Sequence, residues 1–229
     1  PPKETDTAAL LERVKLCKEH GIDAVNIPDG PRATSRLSAL ITAIIIKQKL
    51  DMETILHVCC RDKNLISIQS DLLGAESIGI HNLLLITGDP PKVGDFPDAS
   101  GVFDLDSIQL TSLVRGLNHG LDVAGKGLKS PMSFTAGVGA NPAASNFELE
   151  IERFRRKVKA GAEYAITQPV FDLDSFFRFL EAIEDFKIPI VAGIWPFTSY
   201  KNAEFMANEV PGVKKKKKLL ERMDAAASK

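Results

Sequence analysis

Cysteine is scarce in this sequence, and the three that occur, Cys17, Cys59 and Cys60, are odd in number and lack metal-ligand spacing. That pattern excludes a disulfide scaffold and a zinc-type metal centre, and it fits a reducing, cytoplasmic setting. Long apolar runs are missing as well. Stretches such as Ala39–Ile46 and Leu83–Ile86 fall far below the roughly 20 residues that cross a bilayer, so neither a membrane-spanning segment nor a signal peptide is expected. Charge of one sign is lacking: 29 basic residues face 30 acidic ones, a net −1, which argues against a general nucleic-acid binder. The exception is local. Lys214–Lys218 is a run of five lysines, for which a solvated tail is a commoner explanation than a nucleic-acid or targeting patch. Three signatures are absent too: a Gly-x-Gly-x-x-Gly turn, a phosphate-binding Walker loop and a Gly-x-Ser-x-Gly nucleophile elbow. A dinucleotide, if bound, is therefore not bound in the Rossmann manner.

What is present is the composition of a globular protein: 229 residues, 44% hydrophobic and 26% charged, enough for one large or two small domains. Helical spacing over 7–20, with Ala9, Leu10, Val14, Leu16 and Cys17 on one face, gives way to an apolar strand at Ala24–Ile27. The alternation continues with a helix near 35–49 and a strand at Thr54–Cys60, then a helix near 64–77 and a strand at Asn82–Thr87. Beyond these come a helix near 106–118 and a strand at Met132–Gly137, a helix at 146–160 and a strand at Glu163–Gln168, a helix at 173–185 and a strand at Ile188–Ile194, and a last helix near 215–226. Helix-ending glycines precede strands at Gly21, Gly79 and Gly161, an internal repeat of about 30 residues on average. Such alternation demands a parallel sheet covered by helices, either doubly wound or closed as a (β/α)8 TIM barrel. Polar or glycine residues end almost every strand: Asn26 and Asp29; His57, Arg61 and Asp62; Thr87, Gly88 and Asp89; Gly137, Gly139 and Asn141; Thr167 and Gln168; Trp195. A ring of functional groups points to the barrel. Six strands are found where eight are required, so the first and last are expected to be missing from this chain, with the barrel over 1–213 and its cut end, including the lysine run, over 214–229.

Four segments can carry chemistry. Leu83–Pro91 delivers Gly88 and Asp89 at the end of a buried strand, where glycine would let a flat ligand approach the backbone; a plain turn is the competing explanation. Thr167–Asp172 ends a strand with the Gln168 amide, which both donates and accepts, or else caps the next helix. Arg153, Arg156 and Lys157 stand at i, i+3 and i+4 on one helix. They could hold phosphates, or form a solvated face with Glu148, Glu150 and Glu152. His57 has apolar neighbours, which is more often the setting of a satisfied core histidine than of a ligand. No metal set is seen.

In order and spacing, Ala24–Asp29, Leu56–Asp62, Ile86–Pro91, Arg155–Ala162, Ala165–Asp172 and Ala192–Pro196 resemble the methylenetetrahydrofolate reductase family, flavoenzymes built on a (β/α)8 barrel. The form Asn26–Ala33 looks most like the version fused to a homocysteine methyltransferase domain. The resemblance implies FAD as cofactor, with Thr87, Gly88 and Asp89 under the isoalloxazine and Asn26 and His57 nearby. It assigns Asp106, Ser107, Gly137, Asn141, Glu150, Arg153, Arg156 and Lys157 to the ribityl, phosphate and adenosine parts. It implies hydride transfer from NAD(P)H to 5,10-methylenetetrahydrofolate, giving 5-methyltetrahydrofolate in one-carbon metabolism and methionine biosynthesis. Asp89 and Gln168 are the implied catalytic residues, and Asp89, Gln168 and Tyr200 the folate-binding ones. A homo-oligomer is expected. The family's general acid, a glutamate just before the position of Pro1-Pro2, is not in this sequence. The alternatives are a non-catalytic flavin- or folate-binding barrel and a pterin-binding methyltransferase barrel, and fold alone cannot separate them.

Overall fold

The computed structural model describes residues 1–197 together with 199, 201, 203, 204 and 220. Tyr200, Lys214–Lys218 and nearly all of the helix expected near 215–226 lie outside the described residues. Among the described residues, the strands and helices up to residue 193 alternate: α1 Ala8–Glu19, β1 Ala24–Ile27, α2 Ala39–Leu50, β2 Glu53–Cys59, α3 Leu65–Ser77, β3 Asn82–Ile86, α4 Ser107–Asn118, β4 Thr135–Ala140, α5 Phe147–Ala160, β5 Tyr164–Pro169, α6 Leu173–Ala182 and β6 Ile190–Gly193. Short 3-10 turns at Pro31–Ala33 and Pro91–Val93 follow β1 and β3. The strands lie in sequence order, β1-β2-β3-β4-β5-β6, and the pairs β1/β2, β2/β3, β3/β4 and β5/β6 are parallel. This is the order of a (β/α)8 barrel, of which the described residues supply six strands.

The chain divides into two compact units, Pro1–Val138 with Ala160–Glu163, and Gly139–Lys159 with Tyr164 onward. In the first, alternate residues of each strand pack under helices: Ile27, Leu56, Val58, Leu83, Leu85 and Ala136 meet Ile46, Ile68, Leu72, Leu110 and Leu117, all buried. Helix-ending glycines turn the chain into the next strand with left-handed φ, +73° at Gly21 and +75° at Gly79, where a Cβ would be strained. The amphipathic face read on α1 is buried less than expected; only Val14 is in the core and Leu16 is exposed.

Two boundaries differ from expectation for identifiable reasons. α2 starts at Ala39 instead of 35, because Leu37 N–H donates to the Pro2 carbonyl at 2.9 Å and Ser38 Oγ caps the helix by accepting from Ile41 N–H at 3.4 Å. β4 starts at Thr135 instead of Met132, because the Asn118 side chain takes both backbone groups of Phe134: Nδ2 donates to its carbonyl at 2.7 Å and Oδ1 accepts its N–H at 3.0 Å. Between these partners, Gly120–Pro131 forms a loop that Leu121 and Gly127 close with an antiparallel bridge.

In the second unit, α5 buries Ile151 and Phe154, and the Phe154 ring meets Phe179 edge-on at 5.4 Å, a favoured aromatic geometry. β5 and β6 pair from Ala165 opposite Ile190, with an irregularity before Pro169, whose lack of an N–H bars a regular ladder there.

Candidate functional site

In the first unit, register places side chains at the carboxyl ends of the strands. His57 lies opposite Leu84, and Leu84 opposite Gly137, so the three share one face of the sheet. Asn26, opposite Ile55, shares that face, and its Oδ1 lies 3.1 Å from His57 Nε2. Burial lowers His57 to about 4, so the imidazole is neutral at pH 7. With an amide oxygen as partner, the proton sits on Nε2 and Nδ1 keeps its lone pair. His57 is thus half-buried and bonded to a side chain, a hydrogen-bonding edge and not a cation.

Thr87, Gly88 and Asp89 leave β3 in succession with different tasks. Thr87 Oγ1 accepts Ser107 N–H at 3.0 Å. Beside it, Asp106 and Gln109 form a reciprocal capping box on α4, so the Asp106 carboxylate and Ser107 amide, assigned to cofactor by resemblance, are engaged in starting a helix. Gly88 has φ +94°, and a Cβ there would lie 2.3 Å from Cys59 Sγ and 3.1 Å from Arg61 Cβ. The close approach of the Cys59 thiol is by itself a reason for glycine at this position. Asp89 is exposed, and its Oδ2 accepts Arg32 N–H at 3.1 Å.

Around these stands a charged frame. Arg61, 3% exposed, forks onto Asp62 at 2.7 and 2.6 Å and donates from Nη1 to the Asp89 carbonyl at 3.3 Å. Asp29 accepts Cys59 N–H at 3.2 Å and lies 3.5 Å from Lys63 Nζ, itself 2.9 Å from Asp71. Burial pulls the Lys63 ammonium down, but Asp29 and Asp71 outweigh it and the net shift is upward. Burial pushes both neighbouring thiols up, Cys60 to about 12, which removes them as nucleophiles. Arg32 and Ala33 have φ of +55° and +52°, strain that residues other than glycine carry mainly at functional sites. Sequence reasoning counted Arg61 and Asp62 in the ring of polar strand ends without giving either a task, used Asn26–Ala33 only for the resemblance, and left Thr34–Arg36 out; the available signal was a charged pair directly after a buried strand, facing a Gly-Pro-Arg turn.

In the second unit, Asn141 N–H donates to Glu150 Oε1 at 2.8 Å, and Asn141 Oδ1 accepts Ala143 N–H at 3.2 Å. Arg153 is half-buried and Arg156 exposed. Lys157 departs from the expected shared cationic face: it is 8% exposed, and its Nζ donates to the Gly139 carbonyl at 2.7 Å. The helix turns this position inward, toward the strand that precedes it. Glu150 is likewise occupied with Asn141, while Glu148 pairs with Arg178 at 3.6 Å. Gln168 is exposed at the end of β5 and does not cap α6, whose N-cap is Asp172. Its neighbour Thr167 accepts Gly193 N–H at 2.9 Å, which keeps the strand end in place.

Residues 1–229 match the family described as methylenetetrahydrofolate reductase. The chain belongs to that family. A probable methylenetetrahydrofolate reductase (NADH) of Oryza sativa subsp. japonica is 32% identical over 207 residues, covering 88% of this chain and 34% of the rice protein. Methylenetetrahydrofolate reductase 2 of Saccharomyces cerevisiae is 28% identical over 72% of this chain and 27% of its own length. The chain thus spans about a third of the length of the plant reductases it matches. Among solved structures, a Clostridium thermocellum protein described as binding two copies of 5-methyl-5,6,7,8-tetrahydrofolic acid is similar in fold, with a TM-score of 0.60 and 16% identity over 100% of this chain and 80% of that one. A 2,3-dimethylmalate lyase is similar at a TM-score of 0.52 and 11% identity, over 93% of this chain and 86% of the lyase. Among the described residues of this reductase-family chain, no group of three or more His, Cys, Asp or Glu could hold a metal ion, and no helix is long and apolar enough to cross a membrane.

Proposed function

We propose that this chain is the barrel portion of a methylenetetrahydrofolate reductase, which moves hydride from NADH or NADPH by way of FAD to 5,10-methylenetetrahydrofolate and releases 5-methyltetrahydrofolate. The observation that carries this reading is Asp89, an exposed carboxylate at the end of β3 whose Oδ2 is pinned by Arg32 N–H, in a chain that matches the family along its length. Opening of the folate ring creates an iminium cation, and a carboxylate fixed before the reaction stabilises that charge without reorganising.

The residues present fit a flavin. Neutral His57, bonded to Asn26, Leu84, and Gly137 with no side chain form a row across three strands, a flat and largely uncharged surface with hydrogen-bonding groups at its edge. Thr87, whose oxygen accepts from Ser107, still has its O–H to donate. Arg153 and Arg156 are the cations suited to the phosphates; Lys157, Asn141 and Glu150 shape the strand and helix ends that present these arginines. Bound FAD would supply the hydride relay between the two substrates. Gln168, exposed at its strand end, is placed to recognise the amide edge of the pterin by donating and accepting, and Tyr200 would stack on the folate.

The test is a visible absorption spectrum of the purified protein in its longer natural chain, taken with FAD and then with NADH or NADPH under anaerobic conditions, followed by methylenetetrahydrofolate. Flavin bands that bleach with the nicotinamide and return with the folate are expected. A protein that stays colourless with excess FAD would overturn the flavoenzyme reading in favour of a folate-binding barrel.

A further inference from the structure

A cavity beside the strand ends is left unused by this reading. It lies in the first unit, between the segment after β1 and the loop after β3, and has a volume of about 260 Å³. Pockets for drug-sized ligands run from roughly 300 to 1,000 Å³, so this one suits a side-chain-sized group and not a nucleotide. Four charged side chains line it, Asp29, Arg36, Arg61 and Asp62. Three are already answered, Arg61 and Asp62 by each other and Asp29 by Lys63 and the Cys59 N–H.

Arg36 is different. It is half-buried, its Nε donates to Thr34 Oγ1 at 3.2 Å and its Nη1 to the Pro1 carbonyl at 3.3 Å. Both partners are uncharged, and among the described residues no carboxylate pairs with it. Its Nη2 is left to meet a further acceptor. The Thr34, Ser35 and Ser38 hydroxyls are in the same lining, and Pro91, Phe96 and Ala99 supply an apolar wall from the β3 loop. Phe96 is 62% exposed, so its ring has apolar surface left for a ligand to cover.

A half-buried guanidinium whose partners among the described residues are uncharged, hydroxyls beside it and an apolar wall opposite are the complement of a carboxylate on a short carbon skeleton. We infer that this cavity is a carboxylate subsite, in which Arg36 takes the acid group of a small organic acid and Phe96 and Pro91 cover its body. Asp29 and Asp62 in the lining oppose two negative charges concentrated on one small group, as in a phosphate dianion, more than they oppose carboxylates set apart on a carbon skeleton. The carboxylate has two sources, a pendant acid group on a substrate held near Asp89 or a free dicarboxylic acid.

Titration calorimetry decides, and it depends on neither flavin nor turnover, so its failure is distinct from failure of the reductase reading. The protein is titrated with glutarate, with N-(4-aminobenzoyl)-L-glutamate and with inorganic phosphate. Saturable binding of at least one of the two acids is expected, weakened about tenfold or more by Arg36→Ala, as loss of a charged hydrogen bond implies, and partly restored in Arg36→Lys. Ala99→Phe, a change on an exposed loop that fills the cavity and keeps Arg36, should block binding as well. Tighter binding of the aminobenzoyl compound assigns the pendant source, and tighter binding of glutarate the free one. Absence of saturable binding by both acids, phosphate binding tighter than either, or equal affinity in wild type, Arg36→Ala and Ala99→Phe would overturn the proposal.

Discussion

At the scale of single residues, the site is defined by groups whose environments make them unlike their free forms. His57 has a folded pKa of about 4 against about 6.5 unfolded. The unfolded chain therefore takes up the proton first on acidification: the stability tied to neutral His57 is complete above about pH 6.5 and is lost as the pH falls toward 4. The loss is on the order of 2 kcal/mol, discounted for partial exposure. Urea unfolding at pH 7 and pH 5 should show a smaller difference for His57→Asn than for wild type, and an equal difference would refute a neutral native imidazole. Gly88→Ala should cost about 3 kcal/mol, from left-handed backbone strain and overpacking against Cys59. A Cys59→Ala background should recover part of that penalty, and additive losses would show that the thiol contact is irrelevant. Asp89→Asn keeps an acceptor for Arg32 N–H while removing the charge, so stopped-flow measurement should find flavin reduction nearly unchanged and the folate half-reaction slowed about 10²-fold. Equal slowing of both would refute the electrostatic role.

Among elements, the sequence was most readable where periodicity and capping agree. α3 and α4 begin within a residue of expectation, because Asn64 and Asp106 are cap residues whose side chains accept from the first turn. Asp106→Ala should cost about 1–2 kcal/mol, read as a lowered urea midpoint with an unchanged slope; no change would mean that Thr87 alone starts α4. What could not be read depended on side chains distant in sequence. No local pattern announces that Asn118 will occupy the backbone of Phe134 or that Leu37 will be tied to Pro2, and these contacts moved the starts of β4 and α2. The same limit applied within the site. Helical spacing placed Lys157 beside Arg153 and Arg156, but only the strand beside α5 shows that position 157 turns inward to the Gly139 carbonyl.

For the molecule as a whole, strand-to-helix alternation and polar strand ends were legible from composition and spacing, since both follow from how parallel sheets are connected and covered. Family membership rests on ordered motifs spread across the chain and on the match over residues 1–229. The Asn118 clamp has one more consequence. Because α4 is stapled to the residue before β4, and Met132 N–H also donates to the Leu117 carbonyl at 3.1 Å, the two elements are joined without help from the loop between them. Gly125 sits at its tip with φ +77° and open space where a Cβ would be. A reporter peptide or even a small folded module grafted between Ala124 and Gly125 should leave the thermal midpoint within a few degrees of wild type, making this loop a handle for immobilising the protein; a collapse of the midpoint would show that the clamp does not act alone.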